Sequence, residues 1–226
     1  MTILECRPNN AKSASERTSP FSAHRIRAAV DAVAAGRTIV LIDDLRADGE
    51  ADLVFAASTA STSSMAFMVR HASGMVAVAL EAEICTRLRL PAMPFVDHEN
   101  LGSPPTVTVD STVGVTTGIS AKDRATTARS LADPRTRPDD LSRPGHIQPL
   151  RVDGLYEAKA AGRAEAAVEL VRMAGSAPVA VLCELVSVHD PRRMARAQEG
   201  RLFAARHGLI GVGIGEILAL GHTWVA

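Results

Sequence analysis

The stretch T-I-V-L-I, from Thr38 to Ile42, decides the fold class of this chain. Such an unbroken run of β-branched and apolar residues predicts a strand that is covered on both faces. Gly36 stands just before it, where a glycine commonly ends a helix. The preceding residues share one helical face at spacings of three and four: Ile26, Ala29, Val30, Val33 and Ala34. A helix that leads directly into a buried strand indicates an α/β or α+β protein.

The same alternation continues along the chain. Further helices are predicted at residues 64–71, 81–89, 121–131, 165–173 and 196–207, and further strands at 75–80, 106–110, 179–186 and 210–214. The Pro-rich segment 91–105 is expected to be a loop. Because the composition shows no break after the polar first residues, we expect a flexible leader over 1–24 and one domain over 25–226.

Composition and charge exclude several classes of protein. The chain has 226 residues, 46% of them apolar and 22% charged, which excludes a disordered or collagen-like chain. Its 25 basic and 25 acidic side chains cancel, which argues against a nucleic-acid or membrane-surface partner. No segment approaches the roughly 20 apolar residues of a membrane span. Three widely spaced cysteines and the absence of a signal-peptide pattern favour a reducing, cytoplasmic location.

An acidic segment, D-D-L-R-A-D-G-E-A-D, follows the buried strand from Asp43 to Asp52. Crowded carboxylates need a compensating charge when they are ionised together. Two of them could hold Mg²⁺, which prefers oxygen ligands. The alternative is a solvated turn built by Asp and Gly residues, and the spacing alone leaves both interpretations open.

The segment G-V-T-T-G-I-S-A-K-D-R, from Gly114 to Arg124, predicts the start of a helix. Ser120 and Asp123 form the S-x-x-D pattern of a helix N-terminus, whose free amides can bind an anion. Thr116 and Thr117 add two hydroxyls that a plain cap does not need, which favours a ligand. A helix cap without any ligand remains the alternative.

The segment R-P-G-H-I-Q-P, from Arg143 to Pro149, is expected to be a loop that carries His146. A loop histidine is a candidate proton shuttle near neutral pH. A single histidine can equally serve the structure alone. No P-loop, nucleophile elbow or HExxH motif is present, so the residues by themselves indicate an anion-binding α/β enzyme.

These segments, in this order, resemble the 3,4-dihydroxy-2-butanone 4-phosphate synthase family of riboflavin biosynthesis. The resemblance runs from about residue 25 to about residue 218 and rests on the co-linear order of its motifs. The other matching pieces are L-A-D-P at 131–134, R-P-G-H-I-x-P-L at 143–150, E-A-A-V-E-L at 165–170 and V-L-C-E at 181–184.

The resemblance implies an α+β fold with a three-layer α/β/α architecture and a mixed sheet. It also implies a homodimer, and a Mg²⁺-assisted lyase reaction in which ribulose 5-phosphate is rearranged and formate released. His146 matches a family residue needed for catalysis, and Glu184 matches the late catalytic carboxylate of the family. Glu50 and Asp52 match acidic positions of the family's first loop.

The chain departs from the family pattern at one site. The family's loop reads D-D-E-D-R-E-N-E-G-D, so Ala47 replaces a substrate-contacting Arg and Asp48 a metal-binding Glu. The family's R-x-G-H-T-E-A reads A-A-G-R-A-E-A at 160–166, so Arg163 replaces a metal-binding His. A guanidinium stays protonated and offers no lone pair to a metal. Arg163 is therefore expected to place a fixed positive charge beside Asp48 and Glu50, and to weaken or remove the Mg²⁺ site.

The leading hypothesis is a divergent enzyme of this family. It would perform acid–base chemistry (lyase, dehydration, cyclisation or rearrangement) on a small polar substrate, phosphorylated or carboxylated, in a specialised biosynthetic pathway. The expected catalytic residues are His146, Glu184, Glu50 and Asp52, and the expected substrate contacts are Thr116, Thr117, Ser120, Arg143, Arg163 and Asp48. Any metal is expected at Asp48 and Glu50. Two alternatives stay open: a genuine synthase acting on ribulose 5-phosphate, and a non-catalytic ligand-binding partner of a true synthase.

Overall fold

The computed structural model describes residues 20–93, 103–153 and 162–221. Its strands are β1 (Ile39–Ile42), β2 (Ala51–Ala56), β3 (Ala77–Glu81), β4 (Val109–Ser111), β5 (Leu141–Val152), β6 (Val179–Glu184) and β7 (Gly211–Gly213). Its α-helices are α1 (Pro20–Ala34), α2 (Thr62–His71), α3 (Ala82–Arg87), α4 (Ala121–Ala132), α5 (Arg163–Met173), α6 (Ala197–His207) and α7 (Ile214–Gly221). Short 3-10 turns occupy Ala57–Thr59 and Pro138–Asp140.

The strands form one mixed sheet in the order β4-β5-β3-β6-β2-β1-β7. β1 is parallel to β7 and β3 is parallel to β5, and the remaining neighbours are antiparallel. Parallel neighbours need a long crossover, and helices supply it on both sides of the sheet. The mixed sheet and the α+β class predicted from the sequence are both confirmed.

Helices cover both faces of the sheet, which produces the predicted three layers. On β2, Leu53 and Phe55 pack into one core with α2, α4 and α6, while Val54 and Ala56 pack into the other core with α1, α5 and α7. Because both faces are buried, the central strands read as continuous apolar runs instead of alternating ones. The stretch from Thr38 to Ile42 follows this rule, and residues Ile39–Ile42 are fully buried.

Two segments that were predicted to be loops lie partly or wholly in strands, and both contain candidate site residues. Asp52 was expected in the acidic loop, but it lies in β2, because β1 and β6 pair with it on either side. Residues 143–149 were expected to be a loop, but they lie within β5. Pro149 keeps its place in the strand because its carbonyl still accepts a hydrogen bond from the Thr106 amide.

The remaining elements lie near their predicted positions, except that α7 and β2 were not foreseen. α1 begins at Pro20, inside the expected leader of 1–24, and residues 1–19 lie outside the described part. Residues 94–102 of the expected Pro-rich loop also lie outside it. Within the described ranges no helix is long and apolar enough to cross a membrane. Cys85 and Cys183 are buried free cysteines, and Cys6 lies outside the described residues.

Replacing Leu53 by alanine tests the packing between the sheet and the α2, α4 and α6 layer. Leu53 is completely buried on a central strand, so we expect Leu53→Ala to lower the free energy of unfolding by about 2–5 kcal/mol. Leu202→Ala is the matched control, because Leu202 is 58% exposed on α6, and it should change stability by less than about 0.5 kcal/mol. Urea denaturation followed by circular dichroism measures both, and equal effects would contradict this packing.

Candidate active site

Two predicted site residues face each other across the sheet, at the end where β6 finishes and β2 begins. Asp52 of β2 is directly opposite Glu184 of β6. Both belong to the face that α5 covers, because Val54 and Leu182, two positions away in the same strands, pack into that core. His146 of β5 lies next to the loop ahead of α4.

Arg163 opens α5, and its guanidinium binds three carboxylates at this end of the sheet. Its Nη1 lies 2.9 Å from Oδ2 of Asp52. Its Nη2 lies 2.6 Å from Oε1 of Glu184 and 3.2 Å from Oε2 of Glu50. The Arg163 side chain is 24% exposed, and of its partners Asp52 is buried while Glu50 and Glu184 are partly exposed. We call Arg163, Glu50, Asp52 and Glu184 the Arg163 cluster.

The charges of the Arg163 cluster do not balance, since one guanidinium faces three carboxyl groups. Burial raises the pKa of Asp52 to about 7, and the neighbouring Glu184 and Glu50 add to this effect while Arg163 opposes it. Burial alone would lower the pKa of Arg163, but the three carboxyl groups outweigh it and raise that pKa above its usual range. Arg163 is thus a permanent positive charge, and Asp52 retains its proton to a much higher pH than an exposed aspartic acid does.

The carboxylate partners of Arg163 differ from those predicted from the sequence. Arg163 was predicted to stand beside Asp48 and Glu50, and the structure gives it Glu50 together with Asp52 and Glu184. No ion pair in the described ranges joins it to Asp48, which is exposed. Asp48 instead lines a neighbouring cavity of about 310 Å³, whose other walls are Glu50, Arg193, Met194 and Arg196.

The first two carboxylates of the acidic segment are engaged within the fold. Asp43 accepts hydrogen bonds from the backbone amide of Leu45 and the guanidinium of Arg46. Asp44 accepts one from the backbone amide of Gly215 in the first turn of α7. These contacts agree with the interpretation of this part as a turn and helix cap, and they leave Asp48, Glu50 and Asp52 as the candidates for chemistry.

His146 is held by an aspartate from the neighbouring strand. Its Nδ1 lies 2.6 Å from Oδ2 of Asp110, and its backbone amide donates to Oδ1 of the same residue at 3.0 Å. The carboxylate thus favours the tautomer with hydrogen on Nδ1 and leaves Nε2 for proton exchange. Asp110 was not among the predicted residues, although the acidic end of the alternating run at 106–110 was a signal for it.

Gly118 brings the second predicted segment directly onto this pair. Its φ of +84° lies in the region that favours glycine, and a Cβ there would sit 2.0 Å from Oδ2 of Asp110 and 2.7 Å from Nδ1 of His146. Two of the predicted segments, 114–124 and 143–149, therefore meet at His146. The loop ahead of α4 can approach the ring this closely only because residue 118 lacks a side chain.

The three hydroxyl groups of this loop, on Thr116, Thr117 and Ser120, differ in whether they make hydrogen bonds. Thr116 donates through both its amide and its hydroxyl to Oδ2 of Asp123, and Ser120 caps α4 by accepting from the Asp123 amide. Burial tends to raise the pKa of Asp123, but these hydrogen bonds and one from Gly118 outweigh it and lower that pKa. Thr117 is exposed and has no hydrogen bond within the described part of the chain. Of the three predicted anion contacts, Thr117 is the one whose hydroxyl is uncommitted.

Arg143 contacts the backbone in this structure. Its guanidinium donates to the carbonyl oxygens of Pro138, Leu141 and Leu88 at 2.8–3.0 Å. These hydrogen bonds tie β5 to the turn before it and to the end of α3. The predicted substrate contact of Arg143 stays a prediction, and the structural contribution of the residue is visible.

The Arg163 cluster does not fit the Mg²⁺ ion that the sequence resemblance implies. Magnesium needs near-octahedral oxygen ligands at about 2.0–2.1 Å. Here the oxygens of Asp52, Glu184 and Glu50 point at a guanidinium, which adds a positive charge and no lone pair. Among the described residues no group of three His, Cys, Asp or Glu side chains is placed to hold a metal ion.

The raised pKa of Asp52 predicts a pH-dependent stability. The folded state keeps a proton on Asp52 up to about pH 7, whereas the unfolded chain releases it above about pH 3.8. Its contribution to stability is therefore complete below pH 3.8 and is lost as the pH rises through 7. Between pH 4.5 and 7.5 the free energy of unfolding of the wild type should fall relative to that of Asp52→Asn, by on the order of a few kcal/mol.

Urea denaturation of both proteins across this range measures the difference, because Asp52→Asn removes the titrating carboxyl group and keeps a side chain of similar size. Parallel pH profiles for the two proteins would contradict the protonated Asp52.

Comparison with known proteins identifies the family of this chain. A model described as 3,4-dihydroxy-2-butanone 4-phosphate synthase matches residues 27–220. The riboflavin biosynthesis protein RibBA of Nocardia farcinica is 46% identical over 194 residues, which cover 86% of this chain and 47% of that protein. The chain thus spans about half the length of the curated relatives that it matches.

Solved structures agree with these sequence matches. The 3,4-dihydroxy-2-butanone 4-phosphate synthase of Candida albicans superposes with a TM-score of 0.77 at 41% identity, covering 85% of this chain and 95% of that one. A synthase of the same name in complex with two magnesium ions gives a TM-score of 0.78 at 40% identity, covering 87% and 96%. The sequence motifs, the mixed sheet and these matches all lead to one conclusion: the chain belongs to the 3,4-dihydroxy-2-butanone 4-phosphate synthase family.

Proposed function

We propose that this chain catalyses the reaction for which its family is named, the conversion of ribulose 5-phosphate to 3,4-dihydroxy-2-butanone 4-phosphate and formate. The observation that carries the proposal is a sheet that superposes on synthases and holds two candidate pairs, Asp52 opposite Glu184 and His146 bound to Asp110. The 46% identity to RibBA proteins supports this reaction over the divergent chemistry that the altered motifs first favoured.

The proposed reaction needs groups that move protons next to a carbonyl. Its atoms divide between the two products, so no redox partner is required. His146 is suited to exchange a proton through Nε2, because Asp110 occupies Nδ1 and orients the ring. The side chain of His146 is 39% exposed, so a substrate can reach it.

Glu184 supplies the second acid–base group of the proposal. Its side chain is 39% exposed, and one of its oxygens is fixed by Arg163 at 2.6 Å. The ion pair holds the carboxylate in place, which is how a catalytic group is positioned without reorganisation during the reaction. Asp52 is 1% exposed and acts from within the sheet, as a partner of Arg163.

The substrate's phosphate requires cationic or donor groups at the same end of the sheet. Thr117 and Ser120 lie ahead of α4, whose N-terminus favours anions. Arg193 and Arg196 line the cavity beside Glu50 and Asp48. We propose these two places as the candidate contacts of the substrate's phosphate.

A second candidate function rests on a specific observation. Arg163 neutralises part of the carboxylate cluster, and Ala47 offers no guanidinium to a substrate. These features suit a divergent enzyme that works on a different small polar substrate, phosphorylated or carboxylated, by the same acid–base residues. We also propose a cytoplasmic homodimer for either function, on the basis of the sequence resemblance.

Assay of the purified chain with ribulose 5-phosphate tests the proposal. We expect formate release that falls by about a hundredfold or more in His146→Ala, since a positioned acid–base group typically contributes this much. Asp110→Asn should reduce the rate less and should shift its pH profile, because the imidazole then loses its carboxylate partner. His24→Ala is the matched control on exposed surface of α1 and should leave the rate unchanged.

The same assay separates the candidates. Formate release that depends on His146 supports the synthase reaction. A folded wild-type protein that binds ribulose 5-phosphate or a related sugar phosphate but releases no formate would contradict that reaction and favour the divergent enzyme. A rate equal in wild type and His146→Ala would contradict both.

A further inference from the structure

We propose that Arg163 serves as a built-in cation that replaces a divalent metal ion at the end of β2 and β6, so that this chain binds no Mg²⁺ there. The inference concerns the cation at the site and stands apart from the identity of the substrate. It goes beyond the proposed function, because it describes how this chain differs from relatives whose structures contain magnesium.

The first support is the convergence of three carboxylates on one group. Asp52 lies near the beginning of β2 and is fixed opposite Glu184, at the end of β6, by the antiparallel pairing of these strands. Glu50 lies just before β2 and is held by an isolated bridge to Arg196. All three point oxygens at the guanidinium of Arg163 within 3.2 Å. Carboxylates that converge in this way would otherwise repel one another and attract a cation.

The second support is the geometry of the guanidinium. Arg163 projects from the first turn of α5, and Nη1 and Nη2 each take their own carboxylate partner. The planar fork matches carboxylate oxygens in a way that a point charge cannot. A Mg²⁺ ion bound to the same oxygens would have to occupy the space of this fork, or expel it from a site that is mostly buried.

The third support is the repulsion between two cations at one place. A Mg²⁺ ion placed beside the guanidinium would meet a positive charge at a distance of a few ångströms. Arg163 cannot relieve this repulsion by losing its proton. The oxygens of Glu50, Asp52 and Glu184 that would have to bind the ion already contact the guanidinium.

The occupied cluster has a further consequence for the site. A metal ion exchanges with solvent and is removed by chelators, whereas a side chain on α5 cannot dissociate. The positions of Glu50 and Glu184 are then set during folding and do not depend on the metal concentration. We expect the chain to keep the same melting temperature in EDTA and in Mg²⁺.

Titration with Mn²⁺, followed by electron paramagnetic resonance, tests the inference on the intact chain without any substrate. Wild-type protein should show no saturable Mn²⁺ binding at the cluster up to millimolar concentrations. Arg163→His removes the fixed charge and supplies an imidazole ligand, so it should bind Mn²⁺ more tightly by about tenfold or more. Arg163→Lys keeps a positive charge and should remain unable to bind, which makes it the matched control.

Combining Arg163→His with Glu184→Gln identifies the location of the gained site, since loss of one carboxylate ligand should weaken the Mn²⁺ signal again. Circular dichroism establishes that each variant is folded. Saturable Mn²⁺ binding by the wild type that Glu184→Gln abolishes would overturn the inference. A folded Arg163→His protein that gains no affinity would also overturn it, because the guanidinium would then not be what excludes the ion. Formate release plays no part in either result, so failure of the proposed function is distinguishable.

Discussion

The pairing of one guanidinium with three carboxyl groups is the constraint on which this site depends. β2 and β6 run antiparallel and place Asp52 opposite Glu184, with Glu50 just before β2. Without a cation these groups would repel one another in a mostly buried place. Arg163 supplies that cation from the first turn of α5, and the helix is in turn anchored over the sheet by its buried apolar residues. The strand pairing thus brings the carboxyl groups together, and the charge of Arg163 on α5 reduces the repulsion between them.

The second part of the site is centred on His146, whose ring is held by a single carboxylate and not by an arginine. Asp110 of the neighbouring strand fixes the imidazole, and Gly118 allows the loop ahead of α4 to lie against the pair. Thr116 and Asp123 then hold that loop in shape. The result is a partly exposed imidazole whose Nδ1 is engaged by Asp110 and whose Nε2 is the nitrogen left for proton exchange in the proposed function.

The sequence predicted most of the individual helices and strands because their signals are local, whereas the three-layer architecture came from the family resemblance. The run from Thr38 to Ile42 needed only its own residues to identify a buried strand, and Ser120 with Asp123 identified the start of α4. β5 was missed because Pro144, Gly145 and Pro149 are typical of loops, whereas pairing with β3 decides the outcome. The contacts of Arg163 with Asp52 and Glu184 join residues far apart in the chain. Only the strand register brings them together, and Asp110 was missed for the same reason.

The chain keeps the sheet of its family, and we propose that the side chain of Arg163 takes the place of a cation there. A crystal structure grown with Mn²⁺ and measured for anomalous scattering tests this account most directly. The account predicts that the guanidinium of Arg163 stays within hydrogen-bonding distance of Glu50, Asp52 and Glu184 and that no anomalous peak appears among them. A manganese peak coordinated by Glu50 and Glu184, with Arg163 displaced from the cluster, would contradict it.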